Sequence, residues 1–73
     1  MDRNTLLHDL AEAERNIALG KIELADKQAL IAELDRDGCD TREASDALAE
    51  LREMQEVHER QRERILRELT PRR

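Results

Sequence analysis

The chain has no Phe, Tyr or Trp, and its 73 residues include one cysteine, one proline and two glycines. Each shortage excludes something. Without Phe, Tyr or Trp the chain lacks the large aromatic platforms on which nucleic-acid bases commonly stack. There is also no bulky side chain to fill a core, in a chain already below the size at which one core gives comfortable stability. A lone Cys39 excludes an intrachain disulfide or a thiolate metal cluster, and a single cysteine in a turn is read as incidental rather than redox-active. No apolar run approaches the ~20 residues that cross a bilayer. The opening Met1-Asp2-Arg3-Asn4-Thr5 lacks the basic-then-apolar layout of a secretory leader. The expectation is a cytoplasmic protein without membrane contact.

What is present is charge and the residues of long helices. The chain is 42% charged and 38% hydrophobic, with a formal net charge of −5. Charge this dense suits disorder, but the apolar residues are patterned, and Ala, Leu, Glu and Arg in excess point to long helices. The stretch Asp37-Gly38-Cys39-Asp40-Thr41 divides the chain into halves of similar length. Gly38 suits the left-handed residue that closes a helix. Asp40 and Glu43 fit the N-cap and N3 positions of a capping box that opens the next helix, with Thr41 as the alternative cap. Pro71 disfavours helix at Thr70. The expected architecture is all-α, a single antiparallel, coiled-coil-like helical hairpin. Its first helix covers about 3–36, its turn 37–40, its second helix about 41–69, and a short basic tail 70–73.

The first helix carries two apolar stripes about a third of a turn apart. One holds Leu6, Leu10, Ala13, Ile17, Leu24, Ile31 and Leu34, and the other Leu7, Ala11, Ala18, Ile22, Ala25 and Ala29. A surface helix needs only one such stripe. The second helix has one stripe, Ala44, Ala47, Leu48, Leu51, Met54, His58, Ile65, Leu66 and Leu69. Folding the chain at Gly38–Cys39 pairs positions whose numbers sum to about 78, as in an αα-hairpin. Leu34 then meets Ala44, Ile31 meets Leu48, Leu24 meets Met54, Ala13 meets Ile65, and Gly20 falls opposite His58, where a missing side chain would make room for an imidazole. Leu10, Ile17 and Leu51 complete this predicted core, with Leu69 at its end.

Two helices touching along one seam, without aromatics, bury little apolar area against the entropy of ordering the chain. The second stripe of the first helix is therefore the expected dimer interface, giving a four-helix bundle with the first helix of each protomer at its centre. Residues 33–46 carry six acidic residues against Arg36 and Arg42, net −4. Residues 60–73 carry six arginines against Glu63 and Glu68, net +4. Opposite signs pair when the turn of one hairpin lies beside the terminus of the other.

The segment Leu10-Ala11-Glu12-Ala13-Glu14-Arg15, then Gln28 and Leu34, the Asp37–Thr41 turn, and Leu48, Leu51, Gln55, His58 and Leu66 together resemble a group of short bacterial two-helix proteins of unknown function. The resemblance implies a helical hairpin and no particular activity. In architecture alone the expected dimer is similar to the Rop type of small RNA-binding bundle, without a residue match that would carry RNA-contacting positions across.

No catalytic, cofactor or metal motif stands out. His8 and His58 would lie about 18 Å apart along the hairpin. Neither sits in the Glu-x-x-His pattern of di-iron bundles, since Thr5 and Gln55 occupy the positions three before them. Most carboxylates have Arg or Lys three or four residues away, which is the pattern of a solvated helix face. Arg60, Arg62, Arg64 and Arg67 are the candidate nucleic-acid contacts, set against an acidic chain. The sequence thus reads as a non-enzymatic, self-associating interaction or structural module whose partners are a second copy and another helical protein. A small nucleic-acid-binding dimer is the alternative.

Overall fold

Two stretches filled with strong helix formers and free of proline become two helices, α1 over Arg3–Arg36 and α2 over Arg42–Leu69. The computed structural model describes residues 2–71. Arg72 and Arg73 of the basic tail lie outside the described residues.

The turn is built by the backbone. Gly38 adopts φ +75°, and the N–H of Cys39 donates to the Leu34 carbonyl at 2.8 Å while that of Gly38 donates to Asp35 at 3.1 Å. These are the two bonds of a Schellman motif, which satisfy carbonyls left over at the end of α1.

The expected Asp40–Glu43 capping box does not form. Thr41 is the N-cap residue and makes no side-chain cap bond. Asp40 instead accepts from the Arg42 backbone N–H at 3.0 Å, and its other oxygen takes the guanidinium at 2.8 Å. The nearer bidentate cation holds the carboxylate that the box would have used. At the far end Thr70 is extended, as a residue before proline must be, and its N–H and hydroxyl both donate to the Leu66 carbonyl.

The two helices pack antiparallel along one seam, in a rod 56 × 17 × 16 Å. Each helix contributes two lines of residues at seven-residue spacing. On α1 these are Leu6, Ala13, Gly20, Lys27, Leu34 and Leu10, Ile17, Leu24, Ile31. On α2 they are Ala44, Leu51, His58, Ile65 and Leu48, Gln55, Arg62, Leu69. All of these are buried or half-buried. Leu6, Ala13 and Ile65 form the main cluster, with Leu10 and Leu69 packed on it. No side chain among the described residues is wholly sequestered, because a two-helix rod exposes some edge of every residue in its seam.

Candidate interaction surfaces

The middle of the seam is polar. The Nε2 of Gln55 donates to the Ile17 carbonyl at 2.8 Å, and the residue is only 7% exposed. A β-carbon on Gly20 would collide with the Gln55 amide. The expected partner of Gly20 was His58, one turn further along α2. Gln55 takes that place because its longer, flexible side chain reaches the Ile17 carbonyl on the α1 backbone beside Gly20. His58 stays half-buried at the edge of the seam, beside Ala13 and Asn16 on α1 and Gln61 and Ile65 on α2. Gln55 Oε1 and His58 Nδ1 are both buried without a protein partner. Met54 also departs from the expected core. It is 54% exposed, since Gln55 holds the seven-residue position between Leu48 and Arg62 and turns its neighbour outward.

Two apolar surfaces remain outside the seam. The first is the α1 stripe: Leu7, Ala11, Ala18, Ile22, Ala25 and Ala29 are all exposed, Ile22 by 59%. Ala32, also exposed, extends it, so that Ala11, Ala18, Ala25 and Ala32 recur every seventh residue. At 100° per residue the stripe lies about 150° round α1 from the seam, nearly opposite α2, rather than a third of a turn away. The second is a furrow on one flank near the turn, lined by Leu30, Ala47, Leu51 and Met54, with Glu23, Asp26, Lys27 and Glu50 at its edges.

The arginines do not form one patch. Arg60, Arg64 and Arg67 are exposed and spaced along one outer face of α2, where Arg60 bonds back to the Glu56 carbonyl and lies 3.6 Å from its carboxylate. Arg62 is half-buried in a groove on the other side with Glu14, Glu59 and Glu63. At the turn Cys39 is an exposed free thiol. The Asp40 carboxyl is held below its ordinary range by the side-chain bond to Arg42, then by the Arg42 backbone N–H, while the Arg42 guanidinium is pushed up by Asp40.

Among the described residues no group of three or more His, Cys, Asp or Glu is placed to hold a metal ion, and no helix is long and apolar enough to cross a membrane. Comparison with protein-family models, curated proteins and solved structures gives no match.

Proposed function

We propose that this hairpin is a self-associating, non-enzymatic interaction module, with the outward stripe of α1 as its self-association face. The observation that carries the reading is the imbalance of apolar surface. Four hydrophobic residues are buried in the described chain, while the stripe exposes Leu7 and Ile22 together with Ala11, Ala18, Ala25 and Ala29. An apolar stripe running most of the length of so thin a rod suits a surface that is covered by a partner.

The alanine line explains how. Small residues at seven-residue intervals let two helices approach closely, and the shared interval lets α1 lie antiparallel on its copy with alanine opposite alanine. Because the stripe faces away from α2, the four-helix assembly places both α1 helices at its centre and both α2 helices outside. The antiparallel arrangement also brings the acidic turn of one hairpin beside the basic end of the other, which favours it over turn-to-turn packing. The outer Arg60, Arg64 and Arg67 stay solvated among glutamates, so protein rather than nucleic acid is the partner class the surface favours.

Light scattering across a concentration series under reducing conditions tests this reading. The expected mass is two chains, falling to one in Ala25→Glu, whose new carboxylate sits on an exposed position of the stripe outside the seam. A helical monomer at every concentration would overturn it.

A further inference from the structure

The furrow beside the turn is chemically unlike the alanine stripe. It is floored by larger, more adaptable side chains, with Leu30 40% exposed and Met54 more so, and it is an open groove of about 600 Å³ between the helices. Leu19, also exposed, lies on the same side of α1 about three turns from Leu30. The furrow is roughly a third of a turn round α1 from the stripe, so a dimer through the stripe leaves it open. Its edges carry Glu23, Asp26 and Glu50 against Lys27, and the neighbouring turn adds more acid, with residues 33–46 at net −4.

A channel between two antiparallel helices is shaped for a third helix, and an acidic rim selects cations on that helix. A second copy of this chain does not meet both requirements. Its basic segment turns Ile65 and Leu69 into its own seam, and the face that carries Arg60, Arg64 and Arg67 offers Val57 as its one large exposed apolar side chain among the described residues, too little for an apolar ridge at i, i+3 or i+4 and i+7. Methionine in the lining suits an incoming ridge of varied shape.

We propose that this furrow binds a basic amphipathic helix of another protein, about three turns long. The apolar residues of that helix, at i, i+3 or i+4 and i+7, seat on Leu30, Leu51 and Met54, and its lysines or arginines face Glu23, Asp26 and Glu50. The proposal names the partner of the interaction module described above and rests on that reading.

The test titrates a synthetic leucine–lysine amphipathic peptide of about eighteen residues, long enough to form helix on binding, into the full isotope-labelled chain. A counterpart with glutamate in place of every lysine is run beside it. The lysine peptide is expected to shift amides in 19–30 and 47–54, and the glutamate peptide to bind about tenfold more weakly or worse. Met54→Glu and Glu50→Lys, both at exposed positions, are each expected to weaken the lysine peptide several-fold, with the helical signal of the free protein unchanged. Equal affinity for the two peptides, indifference to both substitutions, or shifts in 7–18 with none in 47–54 would overturn the proposal. So would furrow amides that move with protein concentration alone, since a second copy would then be the occupant. Light scattering separates the two readings: an Ala25→Glu protein that binds the peptide retains the furrow whatever becomes of the dimer, and a dimer that ignores the peptide retains only the stripe.

Discussion

The side-chain amide of Gln55 occupies the space that a β-carbon on Gly20 would fill. Glycine in mid-helix costs about 1 kcal/mol relative to alanine, and here that cost admits a buried amide bonded to the Ile17 carbonyl across the seam. In antiparallel helices whose other contacts are largely aliphatic, one polar contact between fixed residues disfavours sliding by a turn. The pair therefore sets the register of the hairpin.

A double-mutant cycle tests the pairing. Gly20→Ala alone is expected to destabilise the fold by about 1 kcal/mol, because the expelled amide loses its bond and outweighs the gain in helix propensity. In a Gln55→Ala background the same Gly20→Ala change is expected to stabilise, giving a coupling of about 1–2 kcal/mol. Urea unfolding of the four proteins at one concentration measures it. Additive effects would mean that the two residues do not interact.

At the other glycine the expected cost has a different origin. Gly38 has positive φ, yet nothing lies within 4 Å of where its β-carbon would be. Gly38→Ala therefore meets only the backbone penalty of the left-handed region, about 1 kcal/mol, and Gly38→Asn should lose less, because asparagine tolerates that region. A larger loss in either, read from urea midpoints, would point to contacts at the turn that the hairpin does not show.

The Asp40–Arg42 pair gives a signed pH dependence. The folded Asp40 carboxyl titrates below its ordinary value because Arg42 binds its charged form. Its contribution is therefore fully present above the unfolded pKa, near 4, and is lost as pH falls through the lower folded value. The melting-temperature difference between the natural chain and Asp40→Asn should be constant from neutral pH down to about 5 and shrink below about 4. Both groups are fully solvated, so the difference is small and falls with salt. A gap that persisted into acid would show that the carboxylate charge is irrelevant.

Much of this architecture is legible from residue spacing. Gly38 followed by an Asp/Thr pair marks the turn, and the three- and four-residue intervals from Leu6 to Leu34 mark the face of α1 that meets α2. The misread positions are those where a polar residue holds an apolar place. Gln55 belongs to the line Leu48–Gln55–Arg62–Leu69, but hydrophobicity alone favours its neighbour Met54. Strict seven-residue counting from Leu48 would have found it. The same bias gave Gly20 an imidazole partner, because His58 is the more conspicuous polar residue on that face. The furrow leaves no sequence signal, since Leu30 and Met54 come together only once the register is set.

The orientation of the proposed dimer can be tested through Cys39. In the proposed antiparallel assembly the stripe that would join the protomers spans most of α1, so the two turns, each with its exposed thiol, would lie at opposite ends. Air or copper–phenanthroline oxidation of dilute native protein should then crosslink Cys39 only slowly, through collisions between dimers, and the yield should rise with protein concentration. Added salt should weaken the dimer modestly, because the net −4 turn and the net +4 terminal segment attract one another across a distance that 0.15 M salt screens within about 8 Å. Turn-to-turn packing predicts the reverse on both counts. Crosslinking would be rapid, complete and independent of concentration, and salt would tighten the dimer by relieving repulsion between two acidic ends. Measuring oxidation rate and salt response together decides the orientation, since a parallel dimer cannot produce slow crosslinking and salt-induced weakening at once.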